Sequence, residues 1–180
     1  MTPQTGLLHE TLSGGGMIAA ADCHYRHGSA RCAAILFRDW GVPKPDFQVS
    51  GFLGQTAPYE PGSFYKRELP CLLKILDQAR GLFHTVVIDG YVWLAPDDRP
   101  GLGAHLYRSM AGSIAVVGVA KTPFRGSPNA HRVFRGRSRR PLYITAAGMS
   151  PQEAAERVKL MDGAHRIPTL LKLVDKLCRA

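Results

Sequence analysis

The run Met17-Ile18-Ala19-Ala20-Ala21-Asp22 decides how the rest of the chain is read. An apolar run of this length fits a buried strand, and an acid closes it. A carboxylate flanked by apolar strand residues is expensive to ionise unless a cation stands beside it. Downstream, the apolar run from Ala30 to Phe37 can pair with the first across a turn at His27-Gly28-Ser29. A third candidate strand, Asp46 to Phe52, follows Gly41-Val42-Pro43. Three strands at this spacing make an antiparallel meander.

The pattern then changes. From Arg67 to Arg80, Leu69, Leu72, Leu73, Leu76 and Ala79 form a helical stripe. Pro70 is expected in the first turn of that helix, where its missing N–H does little harm. Thr85 to Ile88 reads as a short buried strand ending at Asp89-Gly90, and a helix from about Gly103 to Ala111 leads to a strand from Ile114 to Val119. This βαβαβ succession favours parallel strands with right-handed crossovers. Residues 131–147 read as a basic hairpin. Ser150 caps a helix with Glu153 at the capping-box position, and a final helix runs from Pro168 to Cys178. The expectation is an α/β protein with a mixed five-stranded sheet, meander plus parallel strands, flanked by helices. That order is the order of the ribonuclease H-like fold, and other α/β topologies share it.

The chain has 180 residues, enough for one domain with a sizeable core. Residues 1–16, ending in Ser13-Gly14-Gly15-Gly16, are expected to be a loose segment, and 17–180 the single catalytic domain. The net charge of +9 favours a polyanionic partner, because phosphate contacts supply most non-specific nucleic-acid affinity. The four cysteines form no C-x-x-C pair, which excludes a zinc knuckle and argues for a reducing compartment. No apolar run approaches a membrane span, and no Lys or Arg precedes Arg26, as a signal peptide would require. A cytoplasmic protein, with no membrane partner, is expected.

Three acids stand in unusual settings. Asp22 sits within or at the end of the first apolar strand, Asp89 ends Val86-Val87-Ile88, and Glu68 lies at the start of the first helix between Arg67 and Leu69. Carboxylates converging from different elements are what metal-assisted phosphodiester hydrolysis needs, and hard oxygen ligands suit Mg²⁺. Each acid also has a plainer reading. Asp89-Gly90 makes a good turn, and a Glu in a first helical turn favours the helix dipole.

Neighbouring motifs add a resemblance. Pro58-Tyr59-Glu60-Pro61-Gly62-Ser63-Phe64-Tyr65-Lys66-Arg67-Glu68-Leu69-Pro70 closely resembles the P-Y-x-P-G-x-x-x-x-R-E-x-P block of the endonuclease V family. Ile88-Asp89-Gly90 resembles its V-D-G motif, Gly118-Val119-Ala120-Lys121 its G-V-A-K motif, and Arg166-Ile167-Pro168 its R-x-P segment. Ala21-Asp22-Cys23-His24-Tyr25 sits where the family's first aspartate lies. The resemblance implies a ribonuclease H-like fold and a nuclease of DNA repair acting on inosine in DNA or RNA. It implies cleavage of the second phosphodiester bond 3′ to the base, leaving 3′-hydroxyl and 5′-phosphate ends. By position, Asp22, Glu68 and Asp89 become ligands of Mg²⁺, with Mn²⁺ as a substitute. Lys121 reaches the scissile phosphate, or is simply a strand-end lysine.

Pro58-Tyr59-Glu60-Pro61 looks like the family's strand-separating wedge, two prolines stiffening a loop whose Tyr can fill the gap left by an extruded base. Gly62 and Gly90 suit the base pocket, since a residue without Cβ lets the backbone approach closely. Asp175 lies where relatives place an Asp or His, and reads equally as an outer metal ligand or a surface residue. Arg132, Arg135, Arg137, Arg139 and Arg140 are expected to put guanidiniums on one strand face against a phosphate backbone. The chain departs from the family after V-D-G. Relatives carry S-H-P-R where this chain has Ala95 in place of the histidine, followed by Pro96, Asp97, Asp98 and Arg99. That leaves open an RNA-preferring or structure-directed nuclease, and a catalytically idle nucleic-acid binder. A monomer is expected.

Overall fold

The computed structural model describes residues 16–55, 64–94, 99–125 and 130–180. The meander is present: β1 (Met17–Arg26), β2 (Ser29–Phe37) and β3 (Phe47–Gln55) pair antiparallel in succession. The turn between β1 and β2 is a two-residue one, His27 and Gly28 both having positive φ (49° and 77°) between the paired Arg26 and Ser29. That left-handed pair matches the twist of the strands it joins. Next come α1 (Phe64–Asp77), β4 (Phe83–Asp89), α2 (Leu102–Ser109) and β5 (Ala115–Ala120). β4 lies parallel to both β1 and β5.

Among the described residues the sheet has seven strands, in the order β3-β2-β1-β4-β5-β7-β6, rather than the expected five. The difference is the basic segment. It supplies β6 (His131–Val133) and β7 (Leu142–Ala147), and β7 continues the sheet antiparallel to β5. Its buried face, Leu142, Ile144 and Ala146, joins the core beneath α3 (Pro151–Leu160) and α4 (Thr169–Arg179). The α3 cap is as expected: Ser150 Oγ accepts from the Glu153 N–H at 3.1 Å.

Strand alternation splits the core in two. Met17, Ala19 and Ala21 of β1, with Val86 and Ile88 of β4, face α1 and α2. Ile18, Ala20, Val87, Val117 and Val119 face α3 and α4. Pro70 is a correction. Helix α1 begins at Phe64, so the proline interrupts the ladder inside the helix instead of opening it, with its ring outward. Cysteine spacing also misled. Cys23 and Cys32 stand opposite each other in the β1–β2 ladder and form a disulfide, which removes that argument for a reducing compartment. No helix among the described residues is long and apolar enough to cross a membrane.

Candidate metal centre and nucleic-acid face

Parity along three adjacent strands builds the site. Asp22 continues the face of Ile18 and Ala20 and Asp89 that of Val87, while Lys121, one residue beyond β5, follows Val117 and Val119. Ala21 pairs with Ile88 and Asp89 with Val119, so Asp22, midway along β1 where its parallel pairing with β4 stops, lies beside Asp89 at the end of β4 and Lys121 just past β5. Ligand sites of open α/β sheets form at such strand ends. Helix α1 adds Glu68 from one side of the sheet, and α4 adds Asp175 from the other. A small cavity of about 30 Å³ opens between Asp22, Asp89 and Lys121 and the α4 side chains Leu171 and Val174. A void that size holds a cation or a water.

The electrostatics are those of acids crowded without enough positive charge. Glu68 is only 5% exposed, and its Oε2 has no hydrogen-bond partner among the described residues. Burial, then the charges of Asp22 and Asp89, push its carboxyl up to about 8, against the smaller opposing pull of Arg67. Burial and Asp89 likewise raise Asp22 to about 6, although its carboxylate accepts the Cys23 N–H at 2.8 Å. Lys121 Nζ bonds Asp89 Oδ2 at 2.5 Å. Burial opposes the lysine's charge, but that bond and the neighbouring acids outweigh it and raise its pKa. Lys121 pairs with Asp89 and Arg179 with Asp175, which leaves Asp22 and Glu68 without an ion-pair partner among the described residues, and the orphaned Glu68 oxygen fits a divalent cation.

The loop after Asp89 is held by contacts that glycine alone permits. Gly90 has φ +128°, donates its N–H to the Val119 carbonyl at 3.2 Å, and has open space where a Cβ would project. On β5, a Cβ at Gly118 would stand 2.6 Å from the Gly90 carbonyl and 2.9 Å from Thr145 Oγ1. That hydroxyl accepts the Val92 N–H at 2.8 Å, pinning the same loop.

The arginine expectation needs correction. Only Arg132 lies on a strand; the others occupy the β6–β7 connection. Arg135 points inward at 6% exposure and is no phosphate contact. Its guanidinium donates to the carbonyls of Met161, Gly163 and His165, organising the turn between α3 and α4. Arg132, Arg137, Arg139 and Arg140 are exposed. The wedge residues Pro58, Tyr59, Glu60 and Pro61, the pocket glycine Gly62, and Ala95, Asp97 and Asp98 lie outside the described residues.

Several contributors escaped sequence reasoning. The Arg67 guanidinium lies 4.0 Å over the Tyr25 ring, backing the helix that carries Glu68. Arg166 donates to the carbonyls of Lys121 and Pro141, which brings the Arg139–Arg140 end of the basic loop beside the lysine. Cys178 Sγ lies within 4.8 Å of carboxylate oxygens of both Asp22 and Asp175. Arg67 and Arg166 sit inside recognisable motifs and were within reach. The cysteine carries no motif, only its place one turn after Asp175.

A seven-stranded ribonuclease H-like sheet with carboxylates gathered at its parallel strand ends is the class that fold and site define. Residues 7–176 match the Endonuclease V family profile. Endonuclease V of Streptomyces coelicolor is 32% identical over 190 residues, covering 93% of this chain and 79% of that protein. The chain belongs to the Endonuclease V family. The crystal structure of human ENDOV superposes with a TM-score of 0.75 at 22% identity, covering 93% of this chain and 84% of that one. Ciona intestinalis Endonuclease V, in complex with a 24mer DNA containing an inosine followed by a ribo-adenosine, gives 0.73 at 18% identity, covering 93% and 86%.

Proposed function

We propose that this protein is a Mg²⁺-dependent endonuclease that recognises inosine in DNA or RNA. It hydrolyses the second phosphodiester bond 3′ to the base and leaves 3′-hydroxyl and 5′-phosphate ends, as a cytoplasmic monomer. The observation carrying this reading is the buried Glu68 oxygen, without a partner among the described residues, close to Asp22 and Asp89 on adjacent parallel strands. Family membership and a relative crystallised on inosine-containing DNA support the substrate class.

Asp22, Glu68 and Asp89 would hold the cation, with Asp175 from α4 as an outer ligand and Mn²⁺ able to replace Mg²⁺. A bound divalent ion supplies Lewis acidity to the phosphate and lowers the pKa of an attacking water. The remaining work falls to the chain. Lys121, which compensates Asp89 here, would neutralise charge on the scissile phosphate. The open space above Gly90 admits a base edge against the backbone. Pro58, Tyr59, Glu60 and Pro61 would part the strands, and Gly62 would complete the pocket. Arg132, Arg137, Arg139 and Arg140 contact phosphates and so fix register without reading sequence.

Cleavage mapping on matched inosine-containing and inosine-free DNA and RNA, with Mg²⁺ and with EDTA, tests the proposal. The expected product is a single nick one nucleotide beyond the inosine's own 3′ phosphate, abolished by EDTA. Equal cutting of inosine-free strands would overturn the base specificity, and cutting in EDTA the metal requirement.

A further inference from the structure

Asp22, Asp175 and Cys178 each offer a ligand atom, and these atoms lie within 4.8 Å of one another. Asp175 and Cys178 are one turn apart on α4, so both project toward β1 near the carboxyl end of the helix. Unsatisfied carbonyls make that end of a helix negative. Both Arg179 contacts to Asp175 fall on Oδ1, at 3.0 Å, which leaves Oδ2 for another partner. Cys178 is 1% exposed, and its Sγ lies 3.1 Å from the Asp175 carbonyl. From the other side of the sheet, Glu68 is buried with an oxygen that has no partner among the described residues.

A set of carboxylates alone suits Mg²⁺, but a thiolate changes the ranking. Soft sulfur selects Zn²⁺ and Cd²⁺ and offers Mg²⁺ little. Donor atoms around a tetrahedral ion lie roughly 3.5 Å apart, so side-chain rotations of about an ångström close the present spread. We propose that Asp22, Asp175 and Cys178 form a site for a thiophilic divalent cation, overlapping the Mg²⁺ centre through the shared Asp22. Binding releases the Cys178 proton to solvent and makes one metal–sulfur bond. A thiophilic ion seated there withdraws Asp22 from the Mg²⁺ centre, so such ions inhibit the nuclease. The inhibition rests on the nuclease reading; the binding does not.

The test titrates Cd²⁺ into the EDTA-stripped full chain without nucleic acid, reading the ultraviolet charge-transfer absorption of a cadmium–thiolate bond. One equivalent is expected to produce the band in excess Mg²⁺. Cys178→Ser is expected to lose it, and Asp175→Asn, which keeps all four cysteines, to weaken Cd²⁺ binding by at least roughly tenfold. Circular dichroism on each variant confirms the fold, and Cys178→Ala replaces the serine variant if that one does not fold. A band that survives at wild-type affinity in the folded Cys178 variant, or in Asp175→Asn, overturns the site. No band in the wild type overturns it as well. Because nothing is cleaved in this titration, its failure is separate from failure of the nuclease assignment.

Discussion

Glu68→Gln should make the metal-free protein more stable at alkaline pH. The folded protein holds the Glu68 proton up to about pH 8, whereas an ordinary glutamate releases it near 4.5. Between those values the folded state binds more protons than the unfolded chain, so unfolding free energy falls as pH rises. Each tenfold change in proton affinity is worth about 1.4 kcal/mol. Ionising this buried carboxyl therefore costs the fold on the order of 4 kcal/mol by the top of that window. Asp22 works in the same direction at lower pH, from its ordinary 3.8 to about 6. For a chain of this size, one kcal/mol moves the melting temperature by roughly 2–4 °C. Wild type in EDTA should then lose on the order of 10 °C between about pH 5 and pH 8, while Glu68→Gln loses distinctly less. Mg²⁺ should restore the wild type at pH 8 and leave the variant nearly unmoved. Differential scanning calorimetry across pH, with EDTA and with Mg²⁺, reads both effects. A variant whose melting temperature keeps the wild-type slope, or drops below wild type at pH 8, would refute the reasoning.

Asp89→Ala should abolish Mg²⁺-dependent nicking of a deoxyinosine oligonucleotide with the circular dichroism spectrum intact; full activity would remove the aspartate from the metal centre. Gly118→Ala presses a methyl against the Gly90 carbonyl at 2.6 Å, which should cost roughly 1–3 kcal/mol in urea denaturation and lower cleavage. Arg135→Ala leaves buried carbonyls of the α3–α4 turn without donors and should cost about 3 kcal/mol or more. Arg139→Ala, at an exposed position, should leave stability within about 0.5 kcal/mol and reduce the salt dependence of nucleic-acid binding by about one ion. If the two arginine variants behaved alike in both assays, the division between inward and outward residues would be wrong.

The elements of the fold were legible because each writes its own period. β1 to β3 read as short apolar runs around a turn, α1 as a leucine stripe, α3 from its serine cap. Motifs marked Asp22, Glu68 and Asp89, and strand parity alone puts Asp22 on the face of Ile18 and Ala20. What the linear chain cannot carry is which elements become neighbours. The basic hairpin entered the sheet because Leu142, Ile144 and Ala146 had a core to cover, and pairing with β5 decided that. Five arginines looked equivalent in a row, yet burial separated Arg135 from the rest, since exposure belongs to the packed molecule and not to the residue type. Cys23 and Cys32 became partners only through strand register, and Cys178 met Asp22 only because α4 packs across β1. Sequence determined the local periods and the identity of the acids. Tertiary structure decided their convergence, and with it the desolvation and mutual repulsion that turn separate carboxylates into a cation site.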